Sequence, residues 1–231
     1  MSIHSKYGMI RGLMSAAQAK SSRTASRAAR RQQLIDATMK CIARKGMGST
    51  TLGDVAKEAG LSQGIVNLHF ESKDNLLKET LSSLASEYRE KFDKALKKSG
   101  PHPADKLWAI MEHDLRPSIC NQRKLAIWFA FWGEVKSRPT YRRLCDEWDQ
   151  YYDDVVAGLC EELIEEGGYE NIDATTIANG LAAMTNGLWL SCLIGPKAWD
   201  RNEAETAIMS YLQGVFPKHF PKRGSSEDRT E

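Results

Sequence analysis

The chain has 231 residues, of which 42% are hydrophobic and 27% are charged, and its net charge is +2. A chain of this length can bury a substantial core and form one large or two small domains, and it contains no apolar run near the roughly 18 residues of a membrane span. Its five cysteines are scattered without a CxxC pair. They argue against a disulfide framework and favour buried thiols in a reducing compartment, with redox sensing as the less favoured alternative.

Positive charge is concentrated at the start of the chain. Residues 1–75 carry 12 Lys and Arg against 5 Asp and Glu, whereas the remaining residues carry 20 against 25. A basic front half suits a polyanion such as nucleic acid, which would repel an acidic back half. Residues 1–25 contain no acid and predict a disordered basic arm, although their composition also resembles a transit peptide. Phosphate or minor-groove contacts from this arm and the residues that follow it would come from Lys20, Arg23, Arg27, Arg30 and Arg31.

The chain then shows the pattern of three short helices. Apolar residues follow helical spacing over 26–45, which predicts a first, supporting helix. Thr51 and Asp54 form a capping pattern at the start of a second helix, Gly60 ends it, and a third helix is predicted over Gln63–His69. Two short helices joined by a tight turn that contains glycine indicate a helix-turn-helix.

This stretch resembles the DNA-binding domain of the TetR-type bacterial repressors. The matching positions are Thr50, Thr51, Val55, Ala56, Ala59, Gly60, Leu61, Ser62, Gly64, Val66, His69, Phe70, Lys73, Leu76 and Leu77. Two later segments, WFAFW at 128–132 and NGLWL at 186–190, are similar to the choline-responsive, BetI-like subgroup. The resemblance implies a helix-turn-helix DNA-binding domain over 26–72, a helical ligand-binding and dimerisation domain over 73–217, and a disordered tail over 218–231.

Every later segment also has a helical pattern. A long helix from Lys73 to about Lys97 would join the basic head to the rest of the chain. The following helices are predicted at Ala104–Leu115, Asn121–Lys136, Thr140–Glu166, Asp173–Ile194 and Asp200–Val215. No alternating strand pattern of useful length is present, so the sequence predicts an all-α fold.

A recognition helix must present side chains to base edges from its first turns and anchor its ends to phosphates. The candidate DNA-contacting residues are Thr51, Ser62, Gln63, Gly64, Asn67, His69 and Lys73. Gln63 and Asn67 can bond a base edge or a phosphate, Gly64 lets the backbone approach closely, and the residues at helix starts suit phosphates. Leu68 would either contact a thymine methyl or belong to the core of the head. His69 is interpreted as a phosphate donor or a wedge rather than a titrating switch.

The helix predicted over 173–194 carries a row of small residues at Thr176, Gly180, Ala183 and Gly187. Glycine inside a helix costs about 0.5–1 kcal/mol relative to alanine, so two of them indicate a close helix contact. In the resembling family the last two helices of each subunit form a four-helix interface, which makes this row a candidate homodimer contact. Close packing within one chain is the alternative. A twofold dimer would read a pseudo-palindromic operator on double-stranded DNA.

The back half is rich in aromatic residues with acids nearby. The candidate ligand-binding residues are Trp128, Trp132, Trp148, Tyr152, Asp146 and Trp189. Aromatic faces attract cations, and a quaternary ammonium group has no N–H to bond, so an aromatic cage with a carboxylate suits it. This chemistry agrees with choline or betaine aldehyde as the effector, which the resemblance implies; the alternative is that the rings simply fill the core. Ligand binding would favour a spacing of the two heads that no longer fits successive major grooves.

Nothing in the sequence indicates an enzyme, a cofactor or a metal. It shows no phosphate loop, dinucleotide fingerprint, metal-ligand spacing or nucleophile elbow, and its five histidines form no motif. His113 is expected to be exposed or to cap a helix, because adjacent residues of a helix do not share a face. The sequence therefore predicts a cytoplasmic, ligand-responsive transcription regulator, most simply a repressor. The alternatives are an activator of the same type, or a helical ligand-binding or interaction protein without a DNA role.

Overall fold

The architecture is helical throughout the part of the chain that this computed structural model describes, residues 26–195 and 199–222 with the Trp148 side chain excepted. Within these ranges there is no strand, and the helices are α1 (26–45), α2 (Leu52–Ala59), α3 (Gln63–Phe70), α4 (Lys73–Lys98), α5 (Pro103–Leu115), α6 (Gln122–Trp132), α7 (Pro139–Gly167), α8 (Ala174–Ile194) and α9 (Arg201–Val215). The predicted all-α fold is confirmed. Only the end of α6 differs by more than one residue from its prediction, because Gly133 caps that helix and tight turns follow.

The described residues up to Thr80 form one compact unit, and those from Leu81 onwards form a second. In the first unit, α1, α2, α3 and the start of α4 share one apolar core. Its buried members are Leu34, Ile35, Ala37, Cys41, Val55, Ala56, Val66, Phe70 and Leu76. Because Leu76 belongs to this core, the first turns of α4 are part of the head, and the unit extends beyond the boundary expected at residue 72.

The turn between α2 and α3 follows the chemistry of its residues. The Thr51 hydroxyl accepts a hydrogen bond from the Asp54 amide (3.2 Å), and the Asp54 carboxylate accepts one from the Thr51 amide (2.8 Å), which is the predicted capping box. Gly60 then ends α2 with a φ of +66°, a left-handed conformation that glycine adopts without steric cost. The Leu61 amide closes on the Ala56 carbonyl (2.9 Å), so the chain leaves α2 in a defined direction toward α3.

In the second unit, α7 packs against α5 and α8, α9 packs against α5 and α8, and α6 packs against α8. Apolar residues at three- and four-residue steps give each of these helices a buried face. Fully buried members of the common core include Phe92, Leu107, Ile110, Met111, Leu115, Val156, Cys160, Leu163, Leu181, Ile208, Leu212 and Phe216. The core leaves a cavity, described below, among α4 to α8.

The expectation of a disordered tail from residue 218 is wrong for its first residues. Phe220 is only 7% exposed and belongs to the core of the second unit. The Lys218 amide donates to the Tyr169 hydroxyl (2.9 Å). One large apolar side chain, which composition alone hid among polar neighbours, is enough to hold this turn in place. The predicted arm at 1–25 and the end of the predicted tail at 223–231 lie outside the described residues.

All five cysteines are buried free thiols, as the sequence predicted. Burial raises the pKa of the Cys145 thiol to about 11 and that of the Cys160 thiol to about 12. At neutral pH both are therefore uncharged and act as small hydrophobic side chains, which favours the packing role over redox sensing.

Among the described helices, α8 is long and apolar enough to cross a membrane by length and composition, with a mean hydropathy of 1.3 over its best 18-residue window. Polar residues such as Asn179, Thr185 and Asn186 interrupt it, which is why no uninterrupted apolar run marks it in the sequence. About a third of the window is buried inside the protein (33%). Core helices of globular proteins pass the same test, so this is weak evidence for a membrane span.

Candidate functional site

The first candidate site is the outer face of α3 in the head. Val66 and Phe70 anchor the inner face in the core, as predicted for Phe70. The exposed residues at the start and along the outer face are Ser62, Gln63, Gly64, Asn67 and Leu68. Leu68 is 71% exposed, so it is not a core residue, and its contact with a base methyl stays a prediction. A short helix anchored on one face and polar on the other is what a helix entering a major groove requires.

The start of α3 has no side-chain cap. Ser62 occupies the N-cap position, as predicted, but its hydroxyl makes no capping hydrogen bond. A Cβ at Gly64 would meet only the Ser62 Oγ, at 3.8 Å, so packing within the chain does not require glycine there. Uncapped amides at a helix start, next to a residue without a side chain, form a suitable site for a phosphate oxygen.

Arg31, one of the arginines predicted to contact DNA, is turned toward the protein. Its guanidinium donates to the His69 carbonyl at the end of α3 (2.5 Å) and lies over the Phe70 ring, 4.5 Å from its centroid. It also pairs with Glu79 of α4 (3.1 Å). Arg31 therefore joins α1, α3 and α4 within the head.

Thr51 and Lys73 also have partners within the head. The Thr51 hydroxyl is exposed but takes part in the capping box of α2. The Lys73 ammonium lies 3.3 Å and 3.4 Å from the carbonyl oxygens of Met47 and Gly48. These two contacts are long and an ammonium has three N–H donors, so one donor is left for a phosphate.

Much of the basic excess lies outside the described residues. Residues 26–75 carry 8 Lys and Arg against 5 Asp and Glu, and residues 1–25 carry 4 with no acid. Within the head, Lys45 and the Thr51 hydroxyl hold the pKa of the Asp54 carboxyl well below its usual range. Burial, followed by the nearby arginines, lowers the pKa of His69. His69 is therefore neutral at pH 7, which agrees with a donor or wedge rather than a switch.

The second candidate site is a cavity of about 490 Å³ in the second unit, lined by residues of α4 to α8 and of the turn after α6. Volumes of this order are typical of small-molecule sites. The aromatic and acidic lining residues are Tyr88, Trp128, Trp132, Tyr152, Trp189, Asp114, Asp146, Asp149 and Asp153.

A buried carboxylate, Asp114 of α5, forms one part of the wall. Its Oδ2 accepts a hydrogen bond from the Tyr152 hydroxyl (3.2 Å), and its Oδ1 accepts from the Tyr88 hydroxyl and from His113 Nδ1 (3.1 Å). The Trp189 indole N–H donates to the backbone carbonyl of Asp114 (2.9 Å). Burial, and then the Asp114 charge, raises the pKa of Tyr88 and Tyr152 well above the usual value, so both hydroxyls stay protonated as donors.

The aromatic rings of the wall face in different directions. The Tyr88 ring lies edge-on to Trp128 (81°, centroids 6.3 Å apart) and to Trp189 (84°, 5.9 Å). The rings of Trp132 and Trp189 are nearly parallel (13°, 6.2 Å). All four rings line the cavity, and an aromatic face that borders it would attract a cation without N–H donors.

Three further acids, Asp146, Asp149 and Asp153, lie along one face of α7 at three- and four-residue spacing. Asp149 keeps contact with solvent, but surrounding protein removes much of its hydration. This burial, together with Asp153 and Asp146, raises the pKa of the Asp149 carboxyl to about 6. Among the lining residues that the structure describes, Arg142 is the only basic one. The cavity therefore has a negative potential that favours cations.

Five of the six residues predicted to bind a ligand line this one cavity: Trp128, Trp132, Tyr152, Asp146 and Trp189. The side chain of the sixth, Trp148, lies outside the described part of the structure. The sequence pointed to Asp149 only as a nearby acid, and it gave no indication of Tyr88, Asp114, Asp153 or Thr185 at this site. Tyr88 looked like one more member of an apolar stripe. For Asp114 a signal existed, because helical spacing places it on the buried face of α5.

The prediction that His113 is exposed or caps a helix is wrong. The residue is 2% exposed, and its ring packs edge-on against Tyr88 (centroids 5.3 Å apart) and Phe92 (6.3 Å). Adjacent helix residues diverge at Cβ, but the imidazole is long enough to turn back and bond the Asp114 carboxylate. Spacing alone therefore did not exclude this pair.

The small residues in the row on α8 do not all have the same surroundings. A Cβ at Gly180 would lie 2.9 Å from the Tyr211 hydroxyl of α9, so this glycine allows close packing within the chain, which was the alternative interpretation. The Thr176 hydroxyl is engaged in the cap at the start of α8. Ala183 and Gly187 are exposed, and a Cβ at Gly187 would meet nothing within 4 Å. Gly180 therefore serves packing within the chain, and a dimer contact at the exposed Thr176, Ala183 and Gly187 stays a prediction.

The fold also brings together two histidines and a carboxylate that are far apart in sequence. His102 Nε2 lies 2.9 Å and His219 Nε2 3.9 Å from Glu166 Oε1, and the three potential ligand atoms are within 4.8 Å of one another. However, His102 Nδ1 accepts the Ala104 amide (3.1 Å) as the cap of α5. The ring proton is therefore on Nε2, where it donates to Glu166 instead of offering a lone pair to a metal. In this form the cluster is a hydrogen-bonded link between α5 and α7.

A head that presents one polar helix face, together with an acidic aromatic cavity in a second helical unit, defines the class of ligand-responsive helix-turn-helix transcription regulators. Comparison with known proteins agrees. Residues 34–80 match the bacterial regulatory proteins of the tetR family, and residues 103–217 match the C-terminal domain of BetI-type transcriptional repressors. Over 193 residues the chain is 31% identical to the HTH-type transcriptional regulator BetI of Serratia proteamaculans (strain 568), with 83% of this chain and 95% of the relative covered.

Solved structures show the same fold. A candidate transcriptional regulator from Pseudomonas aeruginosa PAO1 has a TM-score of 0.73 at 26% identity, covering 82% of this chain and 93% of that one. A candidate regulator from Saccharomonospora viridis in complex with choline has a TM-score of 0.72 at 21% identity, covering 79% and 95%. The chain belongs to the tetR family of bacterial regulators and has a BetI-type C-terminal domain. This is a family of transcription regulators and not an enzyme class.

Proposed function

We propose that this protein represses transcription from a pseudo-palindromic operator as a homodimer, and that a quaternary ammonium compound such as choline or betaine aldehyde releases it. It would act in the cytoplasm, where it has access to DNA. The observation that carries the proposal is the presence, in one chain, of an outward-facing recognition-type helix and a cation-type cavity.

In the head, Gln63 and Asn67 would read the operator. Both are exposed on α3, and their side-chain amides can donate and accept together at an adenine edge. The uncapped start of α3, with Ser62 and Gly64, would receive a phosphate, and Lys73 would contribute its remaining donor. The other predicted phosphate contacts are Thr51 and His69.

The dimer would form through the exposed face of α8. Ala183, Gly187, Leu190 and Ile194 follow one another at four-, three- and four-residue steps and are all exposed, Ile194 to 73%. A continuous apolar row of this kind is typical of a surface that another protein covers. Two heads held on one face of the duplex would read half-sites separated by about one helical turn or a multiple of it.

The effector would place its quaternary ammonium group against the rings of Tyr88, Trp128, Trp132 and Trp189. Aromatic faces and the buried Asp114 charge stabilise such a cation without hydrogen bonds, which it cannot make. The choline complex of the Saccharomonospora viridis protein supports this assignment, because the same fold holds that ligand there.

Release requires only that the effector prefer the state that binds DNA weakly. A 100-fold preference corresponds to about 2.7 kcal/mol. Helix α4 contains residues of both compact units, so it is the continuous element through which the cavity and the head are joined.

Fluorescence anisotropy with duplexes taken from the DNA upstream of the gene tests the proposal. Asn67→Ala should weaken binding to the specific fragment about 10-fold or more, from the ~1–3 kcal/mol of one bidentate base contact, while Asn75→Ala, an exposed amide on α4, should not. Millimolar choline should release the wild-type protein but not Trp132→Ala. Equal binding to operator and scrambled duplexes would refute the proposed operator-specific DNA binding. Specific binding that choline and betaine aldehyde leave unchanged would refute only the effector assignment.

A further inference from the structure

The cavity is larger than a single small cation needs. Choline has seven non-hydrogen atoms, and at about 30 Å³ each, the share of one water molecule in the liquid, it fills roughly 200 Å³. The cavity has a volume of about 490 Å³. More than half of the space is therefore left for a second chemical group.

The acids of the cavity wall fall into two sets. Asp114 is fully buried, and its oxygens already accept hydrogen bonds from three neighbouring side chains. Asp146, Asp149 and Asp153 belong to α7, and none of them forms an ion pair or hydrogen bond with a described residue. One set is bonded within the protein, whereas in the other Asp146 and Asp149 are exposed to solvent and Asp153 is half-buried.

The charges on α7 are also not balanced by a base. Arg142 lines the cavity four residues before Asp146, but the two side chains form no ion pair. Like charges at three- and four-residue spacing repel one another. The raised pKa of the Asp149 carboxyl, caused by burial and then by Asp153 and Asp146, reflects this environment. A bound cation would relieve the repulsion.

A second observation at the same cavity points to a polar ligand. The Thr185 hydroxyl of α8 is a lining group, and its residue is only 4% exposed. No described residue meets it with full hydrogen-bond geometry, although the Tyr152 oxygen lies near enough for the Thr185 hydroxyl to lower the pKa of Tyr152. Its neighbour Tyr152 already donates to Asp114 (3.2 Å). A buried hydroxyl without a partner is unfavourable, so a hydrogen-bonding ligand in the cavity would satisfy it.

We propose that the effector is a linear dication: an N-alkylated ammonium group in the aromatic part of the cavity, joined by an alkyl chain to a second, hydrogen-bonding ammonium group held by Asp146, Asp149 and Asp153. This inference rests on the proposed function, because it takes the cavity as the effector site. The row from Asp146 to Asp153 is about 10 Å long at the helical rise of 1.5 Å per residue. Several chain lengths can therefore bring the second ammonium to a carboxylate, and the test uses a series.

Isothermal titration of the full-length protein at pH 7.5 would compare three sets of ligands. These are choline, trimethylammonium compounds that carry a terminal amine on chains of two to eight methylene groups, and alkyltrimethylammonium ions of equal length without the amine. At least one amine-bearing compound should bind 10-fold or more tightly than choline and than its equal-length partner. The equal-length ions separate the second charge from the apolar area of the chain.

Two variants test whether the acids of α7 cause the higher affinity of the amine-bearing compound. Asp149→Asn combined with Asp153→Asn should remove most of the advantage of the amine-bearing compound. It should weaken choline by a clearly smaller factor, because these two acids also contribute to the negative potential of the cavity. Asp154→Asn is the matched control, because this exposed acid of α7 bonds Gln150 (2.7 Å) and does not line the cavity. It should leave every affinity unchanged.

The alternative outcomes are distinct. If no amine-bearing compound exceeds its equal-length partner while choline binds, the dication is ruled out and the proposed function stands. The same holds if the double variant weakens choline and the dication equally, because the row would then serve a single cation. If no ammonium compound binds at all, the effector class in the proposed function fails as well.

Discussion

Replacement of Arg31 by alanine tests how the recognition helix is held in the head. The guanidinium makes a charged hydrogen bond to the His69 carbonyl, a contact with the Phe70 ring and a partly exposed ion pair with Glu79. Typical contributions are about 1.5–3, 0.5–1 and 0–1 kcal/mol, and such terms overlap. We expect Arg31→Ala to lower the free energy of opening α3 by about 2 kcal/mol, which is roughly a 30-fold rise in the open population.

Hydrogen exchange followed by mass spectrometry measures this change directly, since α3 amides exchange through local opening. Their exchange should become about 30-fold faster. All six tryptophans lie beyond residue 80, so tryptophan fluorescence reports on the second unit and should be unchanged. Arg30→Ala is the matched control, because the bond of Arg30 to Gln33 (2.7 Å) stays within α1. Arg31→Lys keeps the charge but not the planar fork, and should recover only part of the protection.

The opposite result would follow if Arg31 contacted DNA, as its place in the basic sequence suggested. In that case α3 exchange would stay the same, and the slope of log affinity against log salt would become shallower by about 0.9. Observing this pair of results would refute the role that the structure assigns to Arg31.

Three further outcomes are expected. Gly60→Ala places a Cβ on a residue in the left-handed conformation, so it should destabilise the head by about 1 kcal/mol in urea unfolding followed by circular dichroism. Gly48→Ala is the control and should have a smaller effect. Equal effects of the two substitutions would contradict the strain argument. Ile194→Lys should convert the dimer to a monomer in analytical ultracentrifugation with helicity unchanged, and a persistent dimer would exclude this face of α8. Lowering the pH from 7.5 to 5 protonates Asp149, whose pKa is about 6, so affinity for an amine-bearing dication should fall about 10-fold, and Asp149→Asn should remove that dependence. Because the folded pKa is raised, Asp149 itself favours the unliganded folded protein more at low pH and less as the pH rises through 6.

Local chemistry determined the elements of this protein. Apolar spacing, the Thr51 cap and Gly60 specified the short helices and the turn of the head, because these signals act over three to five residues and need no distant partner. Prolines and glycines bounded the later helices for the same reason. The aromatic and small residues also indicated a ligand site and a helix contact, since their types limit what they can do.

Tertiary structure decided which of these residues meet. Arg31 looked like a DNA contact but bonds the end of α3, and Gly180 looked like a dimer contact but makes room for Tyr211. Asp114 is recognisable as part of the cavity only because α4, α5 and α7 bring Tyr88 and Tyr152 to it. A side chain's spacing fixes its direction on its own helix, but its partner depends on how separate helices pack, and one sequence without that packing leaves the partner open.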